Sequence, residues 1–224
     1  MNTLSKKILT AVFLCIEAVL YYFVLTGSGM TFTVTAYTGI ALCFTFSWIT
    51  GITKQNWLMV AGLACTVGAD YCLVICDPIQ QLWGMVFFLG TQIFYAISLY
   101  RKRKNNVLLG IRIGLSVIAL VVAFVVLKEN VDPLALISVC YYANLIMNMV
   151  TAFTQWDKCK LLPIGFVLFI LCDTIIGLQV ASGGYLPIPK DSALYSFLFS
   201  GFNTSWMFYL PSQVLIALST HKVK

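Results

Sequence analysis

The chain has 224 residues, of which 60% are hydrophobic, 14% aromatic and 10% charged, and its formal net charge is +6. Soluble domains contain roughly 45–50% apolar and about 25% charged residues, so this composition excludes an ordinary soluble globule, a disordered chain and a nucleic-acid-binding protein. The mean hydropathy of +0.92 indicates a protein that crosses a membrane several times.

Apolar stretches predict an all-α, polytopic transmembrane bundle of eight helices, with residues 1–224 forming one domain. A membrane-spanning helix needs about 20 mostly apolar residues. Turn-forming sequences such as Gly27-Ser28-Gly29 separate the stretches. We number the predicted spans 1 to 8 in chain order: 8–26, 31–50, 56–76, 81–100, 107–127, 131–153, 161–180 and 195–219.

The positive charges are concentrated on one side of this arrangement. With eight spans both termini share a side, and twelve of the 14 Lys and Arg residues fall there, including Arg112 and the cluster Arg101–Lys104. Cytoplasmic loops are enriched in Lys and Arg. We therefore expect a multi-pass protein of the cell membrane with both termini in the cytoplasm.

The two halves of the chain show a weak similarity. Phe87–Ile93 in span 4 resembles Phe208–Val214 in span 8, and the spans directly before them each contain an aspartate, Asp70 and Asp173. This pattern is typical of a four-plus-four internal repeat with parallel topology. Chance similarity between apolar segments is the alternative.

The histidine and cysteine contents exclude two kinds of active site. The single histidine is His221, close to the C-terminus, whereas serine and cysteine hydrolases need an imidazole beside the nucleophile and catalytic zinc usually takes several His ligands. Most of the eight cysteines lie in apolar runs, where they act as small hydrophobic side chains. Acid–base chemistry is therefore expected from carboxyl groups, assisted by tyrosine or amide side chains.

Three carboxyl groups lie inside predicted spans, namely Glu17, Asp70 and Asp173. A charged group at the bilayer centre costs at least about 2.5–3.5 kcal/mol, so these side chains are expected to face the interior of the bundle. At a rise of about 1.5 Å per residue, Asp70 and Asp173 lie at similar depths in their spans. We expect them to meet in one shared, water-containing cavity.

Other polar side chains fall in the same layer, including Gln92 and Tyr95 of span 4 and Asn144 of span 6. Polar residues in membrane helices often only join helices by hydrogen bonds. We prefer that explanation for three amides, Asn148, Gln179 and Asn203. Two neighbouring carboxyl groups titrate as a unit, with one protonated and one ionised near neutral pH. Such a pair suits hydrolysis and proton-coupled transport equally well.

Spans 3 and 4 resemble the YhhN family of eight-helix membrane proteins, whose characterised animal members are lysoplasmalogenases. The family's small-residue–Asp step in span 3 is matched by Ala69-Asp70. Its aromatic-x-x-x-His-x-x-Tyr pattern in span 4 is matched by Phe88, Gln92 and Tyr95. Gln92 stands where the family has His, and because glutamine does not titrate, only hydrogen bonding is retained at that position.

The resemblance continues through the later spans. Asn144 matches an asparagine in span 6, and Cys172-Asp173 matches a Ser-Asp step in span 7, with cysteine in place of serine. A closing Tyr-x-x-x-Gln in span 8 is matched by Tyr209 and Gln213. The similarity therefore extends in order and spacing over nearly the whole chain.

The resemblance implies an ether hydrolase of lipid metabolism. Its reaction would cleave the vinyl ether bond of a lysoplasmalogen-like lysolipid to a fatty aldehyde and a glycerophospho-headgroup, without a metal or organic cofactor. Asp70 and Asp173 would be the catalytic acid–base pair, and the partners would be the lysophospholipid substrate and membrane lipid. The substrate-binding side chains would be Gln92, Tyr95, Asn144, Tyr209, Gln213 and Glu17.

Two other functions are open at this point. A proton-coupled transporter or lipid-binding membrane protein would use the same buried acids as a proton relay, and the internal repeat and Gln92 favour it. A structural or scaffolding protein ranks last, because the short loops offer little docking surface.

Overall fold

The computed structural model describes residues 3–52, 56–127, 132–183 and 188–220. Within these ranges the regular structure is entirely helical. A π-helical turn, Tyr71–Ile75, continues α3. The α-helices, in chain order, are α1 (Thr3–Thr26), α2 (Gly29–Gly51), α3 (Trp57–Asp70), α4 (Gln81–Lys102), α5 (Asn106–Leu127), α6 (Pro133–Phe153), α7 (Leu161–Ser182), α8 (Ala193–Leu198) and α9 (Thr204–Thr220).

Seven helices of the described chain, α1 to α7, are long and apolar enough to cross a membrane, α3 together with its π-helical turn. They coincide with predicted spans 1 to 7 to within a few residues, because each run of apolar residues is close to the length that a bilayer requires. The prediction of a polytopic helical membrane protein is thereby confirmed in its coarse form. The orientation of the termini stays a prediction.

The predicted span 8, residues 195–219, is divided in the structure. α8 ends at Leu198, and α9 is a separate helix of 17 residues. Gly201, in the break, has a low helix propensity. The side chain of Asn203 donates from Nδ2 to the carbonyl of Val24 at 2.7 Å, which satisfies an acceptor at the end of α1. The apolar stretch is therefore two helices rather than one.

α9 lies inside the bundle, where it packs against α7, α2, α1 and α3. Its close contact with α7 depends on Gly165, where an added Cβ would lie 3.0 Å from Ile216 Cγ1 and 3.2 Å from the Ser212 carbonyl oxygen. α4 packs against α3 and α6, while α5 packs against α6. The interior of the bundle is thus formed mainly by α2, α3, α4, α6, α7 and α9.

The two similar segments lie in helices that each pack against the preceding aspartate-containing helix, α4 against α3 and α9 against α7. In both pairs the first helix contains an aspartate, Asp70 or Asp173. The four-plus-four repeat itself stays a prediction.

Candidate functional site

The two intramembrane aspartates differ in local backbone and in exposure. Asp70 is the last residue of α3, directly before the π-helical turn, and its side chain is only 2% exposed. Asp173 lies within α7 and is partly exposed. Short π-helical segments inside helices are frequent at functional sites.

Each aspartate is held by a tyrosine from another helix. The hydroxyl of Tyr209 in α9 donates to Oδ2 of Asp70 at 2.7 Å, and the hydroxyl of Tyr141 in α6 donates to Oδ2 of Asp173 at 2.5 Å. In the described part of the chain, Oδ1 of neither carboxyl group has a hydrogen-bond partner. One oxygen of each aspartate is therefore free to meet a substrate or a water molecule.

The two tyrosines pack against the same pair of phenylalanines. The ring centroid of Phe88 lies 5.6 Å from that of Tyr141 and 6.2 Å from that of Tyr209. The ring of Phe169 lies 6.3 Å and 5.4 Å from the same two rings. We call these four aromatic residues, together with the two aspartates that they hold, the aspartate centre.

Within the aspartate centre Asp70 and Asp173 are linked through their tyrosines, whose rings contact the same two phenylalanines. The two carboxyl groups are not hydrogen-bonded to each other in the described structure, since each is bound to its own tyrosine. The structure therefore brings the two predicted acids into one centre, built from α3, α4, α6, α7 and α9. The shared water-containing cavity stays a prediction.

Gln92 and Asn144 lie in a second polar cluster. Asn148 Nδ2 donates to both Oε1 and the carbonyl oxygen of Gln92, each at 2.9 Å. Arg112 donates from Nη2 to Asn148 Oδ1 at 2.9 Å and from Nη1 to Asn144 Oδ1 at 3.2 Å. We call this cluster the arginine centre and include in it Thr151, whose Oγ1 lies 3.5 Å from Arg112 Nη2.

Glu17, Tyr95 and Gln213 are buried, but in the described structure no hydrogen bond ties them to either centre. Glu17 accepts a weak hydrogen bond from the Cys43 thiol at 3.5 Å, and its Oε2 has no partner. Gln213 Nε2 donates to Ser212 Oγ at 3.3 Å. The ring of Tyr95 packs tightly against Gly62 of α3.

The amides predicted to join helices do so. Asn148 links α6 to Gln92 of α4, and Asn203 links the start of α9 to the end of α1. Gln179 Nε2 donates to the carbonyl of Leu198 at 2.6 Å, which links α7 to α8. That prediction is confirmed.

Four residues of these centres, Tyr141, Phe169, Arg112 and Thr151, are not among the site residues predicted from the sequence, and for two of them the sequence contains a usable signal. Tyr141 lies three residues before Asn144 and seven before Asn148, so the spacing already places all three on one face of α6. Arg112 contributes to the charge asymmetry that predicts the orientation of the termini, and it also falls inside predicted span 5. A charge within a membrane-spanning segment is itself a signal of function.

The comparisons with known proteins agree with the residue pattern. The sequence profile of the YhhN family matches residues 32–220, a region that contains both centres but not Glu17. Neither the comparison with curated proteins nor the comparison with solved structures found a match. Because the profile covers most of the sequence, the chain belongs to the YhhN family.

Proposed function

We propose that this protein is an intramembrane hydrolase that cleaves the vinyl ether bond of lysoplasmalogen-like lysolipids. Its family is associated with hydrolase activity. The observation that carries the proposal is the aspartate centre, where two carboxyl groups on different helices each keep one oxygen free beside a shared aromatic cluster. Paired carboxyl groups of this kind supply the acid and the base of hydrolytic reactions.

The proposed reaction begins with proton transfer to carbon. A protonated aspartic acid donates its proton to the vinyl carbon that does not bear the ether oxygen, and the other vinyl carbon becomes an oxocarbenium ion. The second, ionised carboxylate stabilises this cation and accepts a proton from the water molecule that attacks it. The resulting hemiacetal transfers its hydroxyl proton to the glycerol oxygen as the C–O bond breaks. Fatty aldehyde and headgroup alcohol leave, and the proton on the second carboxyl returns to the first.

We assign the proton-donor role to Asp70 and the base role to Asp173. The base must reach an attacking water molecule, and Asp173 is partly exposed whereas Asp70 is almost fully enclosed. The proton donor needs contact only with the substrate. Tyr209 and Tyr141 act as positioning residues, because each fixes one carboxyl group through a hydrogen bond to Oδ2.

The aromatic rings of the aspartate centre support the same chemistry. The rings of Phe88 and Phe169 each contact both tyrosines that hold the aspartates. The face of an aromatic ring attracts a cation, by about 0.5–1 kcal/mol at exposed sites and about 2 kcal/mol or more where water is excluded. An oxocarbenium ion formed beside these rings would be stabilised relative to the neutral vinyl ether.

The test is aldehyde release from a lysoplasmenyl lipid by the purified protein. We expect Asp70→Asn and Asp173→Asn each to lower kcat by about 10²–10⁴-fold, the usual contribution of a general acid or base. Asp157→Asn is the matched control, because Asp157 is exposed outside the helices. Thermal unfolding should show that all three variants fold. If either aspartate variant of the centre keeps wild-type turnover, the two-carboxyl mechanism is wrong.

A proton-coupled transporter is the second candidate, and the packing of α3 with α4 and of α7 with α9 favours it. Two similar helix pairs, each with one intramembrane acid, are the arrangement found where transporters are built from repeats. Its signature is uptake of lysolipid into proteoliposomes driven by a pH gradient, with no aldehyde formed. Uptake without product would support this candidate against the hydrolase.

A further inference from the structure

A cavity of about 140 Å³ lies between α4, α5 and α6, at the end of the bundle where α4 and α5 are joined. The charge pattern predicts this end to be cytoplasmic. Arg112 of α5 and Arg103 of the connection both line the cavity, and Thr151 of α6 contributes a hydroxyl group. Ile97 and Leu109 are among the apolar residues of the wall. The cavity therefore combines two positive charges with an apolar surface.

Arg112 has only neutral hydrogen-bond partners in the described part of the chain. Its guanidinium group contacts the side-chain oxygens of Asn144, Asn148 and Thr151, and no described carboxylate forms an ion pair with it. A charge inside a membrane protein is costly unless an opposite charge balances it. The fixed geometry and missing counter-charge of Arg112 suit an anionic group bound in the cavity.

Arg103 is also fixed in place. Its Nη1 donates to the carbonyl of Thr154 at 2.6 Å, just beyond the end of α6. Arg103 is thus held just beyond the C-terminal end of α6, whereas Arg112 is held by side chains of the second half of α6. Planar guanidinium groups bind phosphate oxygens through paired hydrogen bonds, and arginine is the residue of choice for such recognition.

A polar stripe on α6 runs from Thr151, which lines this cavity, to Tyr141 of the aspartate centre. Tyr141, Asn144, Asn148 and Thr151 follow a spacing of three, four and three residues, which places them on one helix face. Tyr141 holds Asp173, while the other three hold Arg112. At a rise of 1.5 Å per residue, Tyr141 and Asn148 are about 10 Å apart along the helix.

We propose that the cavity is a phosphate-binding subsite that takes the phosphate of a lysophospholipid, with Arg112 and Arg103 as its ligands. In such a lipid the phosphate and the ether-linked chain occupy opposite ends of a short glycerol unit. With the phosphate at Arg112, we expect the glycerol to extend from the cavity in the direction of Tyr141, which holds Asp173. The identification of the ligand as a lysophospholipid rests on the proposed function. Binding of its phosphate can be measured without hydrolysis of the lipid.

The experiment measures binding to the full chain in detergent, with a saturated 1-alkyl lysophospholipid as the probe. This lipid keeps the phosphate and has no vinyl ether to hydrolyse. We expect Arg112→Gln to weaken binding by about 10- to 100-fold, the range that corresponds to a charge-assisted hydrogen bond. Arg112→Lys should retain part of the affinity. Arg101→Gln is the matched control, because Arg101 is exposed and does not line the cavity.

Competition experiments distinguish a phosphate carried by a lipid from free inorganic phosphate. The same alkyl chain on glycerol without phosphate should compete poorly, and inorganic phosphate should compete only weakly. Equal competition by the alkylglycerol, or unchanged affinity of a folded Arg112→Gln variant, overturns the proposal. Equal competition by inorganic phosphate overturns its assignment to a lipid. If Arg112→Gln does not fold, Arg103→Gln, at an exposed position, tests the same subsite.

Comparison of binding with turnover separates this proposal from the proposed function. Binding of the saturated lipid needs no hydrolysis, so its loss in Arg112→Gln should be the same whether or not the wild type hydrolyses the vinyl ether. Arginine-dependent binding without any aldehyde release would support the phosphate subsite and contradict the hydrolase. Aldehyde release that does not depend on Arg112 would support the hydrolase and contradict the subsite.

Discussion

The aspartate centre and the arginine centre lie in the same bundle but differ in how many hydrogen bonds hold their ionisable side chains. Asp70 and Asp173 each receive one hydrogen bond from a tyrosine, and the rings of the two tyrosines pack against Phe88 and Phe169. Arg112 is surrounded by amide and hydroxyl oxygens that fix its guanidinium group. The first arrangement leaves reactive atoms free, and the second fixes a charge in place.

This difference assigns the two centres to different tasks. A group that transfers protons must keep an atom available, as both aspartates do at Oδ1. A group that binds an anion works best when its orientation is set in advance, as that of Arg112 is. Substitutions in the aspartate centre are therefore expected to lower kcat, whereas substitutions in the arginine centre raise KM or lower stability.

After substitution of the aspartates themselves, the largest loss of kcat is expected from substitution of the tyrosines that donate hydrogen bonds to them. Tyr141→Phe or Tyr209→Phe removes a hydrogen bond to a carboxyl group, a contact worth about 1.5–3 kcal/mol when charged, so kcat should fall about 10- to 100-fold. Steady-state aldehyde release measures this. Tyr142→Phe is the control, because Tyr142 shares a hydrogen bond with Thr174 of α7 but lies outside the centre. An equal loss of kcat in all three variants would show only a structural effect and would contradict the positioning role of Tyr141 and Tyr209.

Asn148 is expected to matter mainly for stability. Asn148→Ala removes an acceptor of Arg112 and a donor to Gln92, and leaving such buried groups unsatisfied costs about 1–3 kcal/mol. Denaturant unfolding in detergent measures the change. Asn106→Ala, at an exposed position that accepts one hydrogen bond from Tyr100, should cost less than about 1 kcal/mol. An Asn148→Ala variant as stable as the wild type would contradict the structural role of the arginine centre.

The smallest effect is expected where the chain departs from the pattern of its family. Gln92 belongs to the arginine centre, so Gln92→His changes no group that holds an aspartate. We expect kcat to stay within about threefold of the wild type, equivalent to less than ~0.7 kcal/mol. Gln92→Leu is the companion variant and should lower stability by removing the side-chain acceptor of Asn148 Nδ2, which keeps only the Gln92 carbonyl oxygen. A rise in kcat well above threefold in Gln92→His would place this position in the aspartate centre.

Much of the fold could be predicted from the sequence, because bilayer thickness makes the length of each apolar run informative. The break between α8 and α9 could not. Gly201 and Asn203 stand within an apolar stretch, and only the hydrogen bond of Asn203 to the end of α1 shows why the helix stops. A contact between helices distant in sequence decided that local structure.

The candidate site was predicted in part. The cost of a buried charge identified Asp70 and Asp173, and the structure brings them into one centre. Depth along a span also predicted Gln92 and Asn144 to lie near the acids. Depth does not determine which helix a side chain faces, and in the structure both residues belong to the arginine centre. Tyr141 was missed because a tyrosine in an apolar span is usually explained by packing alone.

The most direct test of acid–base hydrolysis by the two aspartates is the reaction in heavy water. Proton transfer from Asp70 to the vinyl carbon predicts that the wild-type protein places a single deuterium on the carbon next to the aldehyde group, detected by mass spectrometry. Asp70→Asn and Asp173→Asn should form almost no product. Aldehyde incubated with the protein in heavy water controls for exchange after release. Aldehyde formed without deuterium, or full turnover in either variant, would contradict the mechanism.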